Sequence, residues 1–234
     1  MTLQVCMVAP DGYLMASDTK VLHLESGYYS SHETKIFFNT GRAISWCGAG
    51  DDVVRIAGCL LEQELVTRNI DFDEMRSVLR RIGEQAWHRK YGDVSAYSSR
   101  PLDAINSAAL SSRKLTVAKN DGNTSRIWVL EIFGVGAVDC REMIDKSLAG
   151  NDLNPVTFFL ERFYGSETRA LVDLKILAAA TILLGGTINP TGVGGLEMLT
   201  CSKGNMEMVS LQEIADLKMR VDSLDAAIAS LLFQ

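Results

Sequence analysis

The chain has 234 residues, 47% of them hydrophobic and 22% charged, with a formal net charge of -6. That length suits one domain with a sizeable core, and the composition is that of an ordinary globular protein. The charge is spread without a basic stripe, which argues against a nucleic-acid partner and leaves a locally charged substrate pocket open.

From the N-terminus, Leu3, Val5 and Met7 alternate with Gln4, Cys6 and Val8 before Pro10–Asp11–Gly12, and the apolar run Tyr13–Ser17 follows. Two short runs around such a turn predict a β-hairpin with a buried second strand. The polar stretch "ESGYYSSHET" reads as a loop, and "KIFFNTGRAISWCGAG" predicts a second strand–turn–strand unit closing on a small-residue corner. From Asp51 the period becomes helical, through Val53, Ile56, Leu60 and Leu61. The pair Asp51–Asp52 reads most simply as a helix cap, with paired carboxylates for chemistry as the alternative. A second helix follows "IDFDE", with Met75, Val78, Leu79, Ile82 and Ala86 on one face, and residues 91–103 form a long irregular connection.

Strand-like runs "AINSAALSS", "KLTVAKND" and "RIWVLEIFGVGAV" fill residues 104–148, helical stretches 153–163 and 168–184 come next, and "GLEMLTCSKGNMEMVS" predicts a closing hairpin. Glu131 interrupts its apolar run either as an outward residue or as a pocket charge. The stretch "ILAAATILLGG" is too short to span a membrane and reads as a buried helix. Strands and helices alternate in blocks, an order that predicts sheet packed on sheet with helices outside. The last helix, 211–232, carries a heptad-like seam of Ile214, Leu217, Val221, Leu224, Ile228 and Leu231. That seam serves either docking on its own domain or contact between subunits.

Five scattered cysteines (Cys6, Cys47, Cys59, Cys140, Cys201) read as buried reduced thiols, and His23, His32 and His88 lack metal-ligand spacing. No metal or organic cofactor is expected. The N-terminus carries no charged n-region followed by an apolar h-region, so the expectation is a cytoplasmic protein with no membrane partner.

The run "TLQVCMVAPDGYLMASDTK", then "ETKIFF" and "SWCGAGDDVVRIAG", resembles the N-terminal third of a proteasome β-type subunit. Such subunits are N-terminal-nucleophile hydrolases, a group that includes the bacterial HslV-type proteases. The likeness is to a bacterial or archaeal homologue, strong over residues 2–68, moderate over 168–209 and weak across 86–150. It implies an α+β fold, a four-layer αββα sandwich over residues 1–234, with residues 210–234 as an added C-terminal amphipathic helix available for oligomer contact. It also implies a homo-oligomer, either a ring or a helical array, and a peptide or protein substrate. An unfoldase partner stays open.

Thr2, Asp18, Lys35 and Gly50 match the family's site in kind and order. Asp18 lies 16 residues beyond Thr2 (18 minus 2), as the family requires. Once Met1 is removed, the resemblance makes Thr2 the nucleophile and its free α-amine, with a reference pKa of about 8, the base. A Lys35 ammonium would hold that amine's pKa down, Asp18 would orient Lys35, and N–H groups at Ala49–Gly50 would form an oxyanion hole. Leu22 falls near the family's specificity pocket.

Two stretches depart from the family. Asn151, in "LAGNDLNP", stands where it has a serine supporting the amine, and Glu167 and Arg169 stand where it has Asp and Ser. Arg169 adds charge where a neutral amine is needed. The sequence therefore supports a threonine hydrolase of amide bonds, with a non-catalytic self-assembling subunit and a Thr2-dependent amide ligase as alternatives.

Overall fold

A computed structural model of the protein describes residues 2–23, 28–30, 33–92, 113–134, 136–150, 155–164 and 169–232. The first hairpin is β1 (Gln4–Ala9) and β2 (Gly12–Ser17), joined at Pro10–Asp11. Gly12 is required at that turn. Its φ is +154°, and a Cβ there would lie 1.9 Å from the Cys201 carbonyl oxygen. Two short strands, β3 (Val21–His23) and β4 (Tyr28–Ser30), pair antiparallel, and β4 falls within the stretch expected to be loop. The second expected unit is β5 (Ile36–Asn39), a 3-10 turn (Thr40–Arg42) and β6 (Ile44–Ala49).

Helix α1 (Asp52–Thr67) starts where Asp51 accepts the Val53 N–H, so Asp51 is the cap. Helix α2 (Phe72–Tyr91) follows, then β7 (Arg113–Asn120), β8 (Ser125–Ile132), β9 (Val138–Met143) and β10 (Lys146–Ala149). The chain continues as α3 (Pro155–Tyr164), α4 (Leu171–Ile188), β11 (Glu197–Ser202), β12 (Asn205–Met208) and α5 (Leu211–Leu232). The strand expected over "AINSAALSS" lies outside the described residues.

The result is a mixed α+β fold with two five-stranded antiparallel sheets, in the orders β10-β1-β2-β11-β12 and β5-β6-β7-β8-β9. Period-two alternation sorts their side chains onto two faces. Leu3, Val5 and Met7 of the first hairpin, with Leu14 and Ala16, pack against α3, α4 and α5. Cys6, Tyr13, Met15, Leu199 and Cys201 point the other way, towards Ile36, Cys47, Ala118 and Ile127 of the second sheet. The far face of that sheet, with Trp46, Val117, Trp128 and Leu130, meets α1 and α2.

Helix α4 is long and apolar enough to cross a membrane by composition, yet nine of its residues are buried against the first sheet and its neighbouring helices. Helix α5 docks on α4 through buried Leu217 and Val221 and half-buried Ile214, with Lys175 donating to Glu213 at 2.6 Å. Among the described side chains of the seam, these three make the contact with the domain. Leu224 is 50% exposed, and the side chains of Ile228 and Leu231 are outside the described set. Cys59 is exposed on α1, unlike the other four free cysteines. Glu131 is a pairing residue, held by Lys114 across β7 and by Arg141 across β9.

The core over α1 and α2 makes a direct demand on packing. Leu61 is fully buried there, so Leu61→Ala should lower unfolding stability by about 2–5 kcal/mol. Urea denaturation with an unaltered m-value checks it.

Candidate active site

The hairpin returns Asp18 beside the start of β1, because Gln4 pairs with Ser17. The Asp18 N–H donates to the Leu3 carbonyl at 3.0 Å, and the Leu3 N–H donates back to Asp18 Oδ1 at 2.9 Å. Asp18 is fully buried, and its Oδ2 also accepts the Lys20 N–H at 3.2 Å. Lys35 enters from the residue before β5. Its Nζ lies 2.9 Å from both Asp18 oxygens, 2.6 Å from the Lys20 carbonyl oxygen and 3.4 Å from Thr2 Oγ1. Thr2, Gln4 and Cys6 share a face by alternation, so the half-buried Thr2 hydroxyl points into the space between the sheets. Burial raises the Asp18 pKa, while the Lys35 charge and the N–H donors pull it back.

Gly50 ends β6 at a corner with φ +144°, where a Cβ would press on Val54 at 3.0 Å and on Arg113 at 3.2 Å. Asp51 fixes the corner by accepting from Arg113 Nε at 2.7 Å as well as capping α1. Ile36 pairs with Cys47, so the end of β6 runs past Lys35 towards Gly50. Leu22 lies in β3 opposite Tyr29. Its side chain, like Asn151 and Glu167, falls outside the described residues.

Arg169 does not belong to this cluster. Two residues after it, the Leu171 N–H donates to Asp11 in the β1–β2 turn. That turn is a full strand length, roughly 20 Å, from Thr2. The Arg169 guanidinium instead donates through Nε to the Phe163 carbonyl at 3.3 Å. The positive charge expected near the amine sits at the opposite end of the hairpin.

Three features were not found from the sequence. The segment after α4 bonds the two residues that follow Asp18: Thr19 N–H donates to the Gly194 carbonyl at 2.9 Å, and Lys20 Nζ donates to the Pro190 carbonyl. Gly150, with φ +126°, follows β10 so closely that a Cβ would sit 1.9 Å from the Thr2 carbonyl oxygen. Glu197 opens β11 opposite Ser17, is 9% exposed, and accepts the N–H groups of both Lys35 and Ile36 on one oxygen. Burial pushes its carboxyl up to about 7, against the opposing pull of those N–H groups and Lys35. Its only sequence signal is an acid at an inward position of "GLEMLT".

Comparison with protein-family models and with curated proteins returns no match. Solved structures do match along nearly the whole chain. Anbu (ancestral beta-subunit) from Yersinia bercovieri aligns with TM-score 0.70 at 13% identity, covering 99% of this chain and 97% of that one. The helical assembly of the Anbu complex from Pseudomonas aeruginosa aligns with TM-score 0.72 at 16% identity, covering 98% and 95%. An Anbu (Gly-1) mutant from Hyphomicrobium sp. strain MC1 gives 0.63 at 13% identity, covering 98% and 97%. The fold is thus that of the Anbu proteins, which are proteasome-like but distinct from the HslV-type hydrolases. This corrects the likeness read from the sequence, which pointed to proteasome β-type and HslV-type chains.

Two outcomes follow from the close contacts. Gly150→Ala forces both a disfavoured φ and a clash with Thr2, and should cost about 1–3 kcal/mol or more, read as a lowered midpoint in urea. Glu197 holds its proton more tightly folded, at about 7, than its ordinary value of 4.5. Its favourable contribution is therefore complete below about pH 4.5 and lost as pH rises to about 7, amounting to about 3 kcal/mol. Wild type should lose stability relative to Glu197→Gln across that window, measured by denaturation at a series of pH values.

Proposed function

We propose that the chain is a proteasome-like threonine hydrolase that cleaves amide bonds in peptides, with Thr2 as nucleophile after removal of Met1. The observation that carries this reading is the Lys35 ammonium, bound to both oxygens of buried Asp18 and 3.4 Å from the Thr2 hydroxyl. A cation held there favours a neutral α-amine at Thr2, and a neutral amine can take the hydroxyl proton.

In the proposed reaction, Thr2 Oγ1 attacks the substrate carbonyl carbon as the amine accepts its proton. N–H groups at the Ala49–Gly50 corner stabilise the oxyanion. The C–N bond then breaks, the amine's proton passes to the departing nitrogen, and an ester on Thr2 remains. Water attacks that ester, with the amine again accepting a proton and returning it to Thr2 Oγ1. No step draws on a metal or an organic cofactor.

The three apolar clusters between successive layers support a four-layer αββα arrangement, and the length of chain fits one domain with α5 as its C-terminal addition. The helical assembly of the Pseudomonas aeruginosa Anbu complex supports self-association of this chain into an open helical array or a ring. The cytoplasm is the compartment that suits it. Arg169, which weighed in favour of a non-catalytic subunit, lies too far from Thr2 to do so.

Intact mass together with an epoxyketone probe tests the reaction. Loss of Met1, labelling at Thr2, and no labelling of Thr2→Ala are expected. Lys35→Met should lower kcat/KM on a labelled peptide by about 10²–10⁴-fold. A chain that keeps Met1, or a free Thr2 that the probe leaves unmodified, overturns the proposal.

A further inference from the structure

We infer that Glu197 is a positioning residue for the Thr2 site, holding Lys35 in place through the backbone and setting by its charge the pH range in which the Thr2 amine serves as base. The inference rests on the hydrolase reading above. Its geometry begins with strand alternation. Glu197, Leu199 and Cys201 point from β11 towards the second sheet, while Met198 packs among the helices. Glu197 thereby bridges the two sheets at one place, the entry to β5. Two successive N–H groups, of Lys35 and of Ile36, converge on its Oε1, the second at 2.9 Å. In an extended strand, successive N–H groups point to opposite sides. Bringing both onto one oxygen fixes the backbone from which the Lys35 side chain departs. The position of Lys35 Nζ relative to Asp18 and Thr2 depends on that anchor.

An amide oxygen in the same place could accept the same two bonds. What the carboxylate adds is charge. The groups facing Glu197 are Lys35 before β5, Asp18 after β2, and Cys47 on β6. Lys20, beside Asp18, turns its own ammonium away to the Pro190 carbonyl. Burial keeps the Cys47 thiol protonated, pushing it up to about 12, so it contributes no charge near neutrality. With Glu197 ionised, Lys35, Asp18 and Glu197 sum to one negative charge; with Glu197 protonated they sum to zero. A negative charge raises the pKa of a nearby amine, and Lys35 alone would lower it. Glu197 thus offsets Lys35 at higher pH and withdraws the offset as it takes up a proton, a coupling that spreads the acid limb of the rate profile beyond a one-proton curve.

The variant that separates charge from anchoring is Glu197→Gln. Its acid limb of kcat/KM against pH should become a one-proton curve shifted to lower pH by roughly half a unit to one unit. Glu197→Ala removes the anchor as well. It should lower kcat by about tenfold or more with little change in KM, and Glu197→Gln should recover most of that loss. Independently of turnover, infrared difference spectra of the wild type should show a protonated carboxyl band that titrates near pH 7 and is missing from Glu197→Gln. Acid limbs that superimpose for wild type and Glu197→Gln, or a band that titrates below pH 5, overturn the inference. Epoxyketone labelling of wild-type Thr2 keeps the two readings apart. Labelled wild type with superimposed profiles removes the role of Glu197 alone, whereas unlabelled wild type removes the hydrolase and the role of Glu197 with it.

Discussion

The buried ion pair between Lys35 and Asp18 is the contact around which the rest of the site is arranged. Asp18 is fully buried and Lys35 nearly so. Two charges removed from water are tolerated only when their remaining bonding capacity is filled. Here it is: Asp18 accepts the Leu3 and Lys20 N–H groups besides the ammonium, and Lys35 Nζ also reaches the Lys20 carbonyl and Thr2 Oγ1. Removing either partner would leave an isolated buried charge, at a cost of about 3–5 kcal/mol. The pair therefore locks the hairpin end to β5, and Thr2 inherits its position from that lock.

Other contacts keep the pair in register. Asp18 is brought back by six paired residues in each hairpin strand, so a slip of one residue would turn Thr2 and Ser17 towards the helices. Gly150 lets β10 lie against the Thr2 carbonyl, and Gly194 takes the N–H of Thr19 from the segment after α4. Glu197 joins the sheets at Lys35. Each of these contacts comes from a different part of the chain, and all bear on the same few atoms.

Much of this was legible in the sequence where the signal is local. The hairpin around Pro10–Asp11–Gly12, the helix capped by Asp51, and the closing hairpin of β11 and β12 follow from turn residues and alternation, which neighbouring residues decide. The Thr2, Asp18 and Lys35 set came from the family resemblance, and local signals account only for the part in which one hairpin turn returns Asp18 to the start of β1. The reading failed where proximity was not local. Arg169 was expected near the amine because the resemblance aligned it with a serine of the family's site, but α4 starts at the far end of the hairpin and only its C-terminal end reaches the site. Glu197 and Gly150 went unnoticed because an acid in a strand or a glycine after one has no distinguishing neighbours.

The sequence by itself determined the first and closing hairpins, the start of α1, the face that alternating strand residues take, and the return of Asp18 to the start of β1. Those are consequences of backbone periodicity and turn chemistry, which act over a few residues. Only the tertiary structure decided that Lys35 closes on both Asp18 and Thr2, that Gly150 lies against the Thr2 carbonyl, that the segment after α4 bonds Thr19 and Lys20, and that a buried carboxyl on β11 holds the backbone of Lys35 at the entry to β5. Those contacts join residues far apart in the chain. Their geometry is set by how two sheets pack face to face, a constraint that no local stretch of sequence contains.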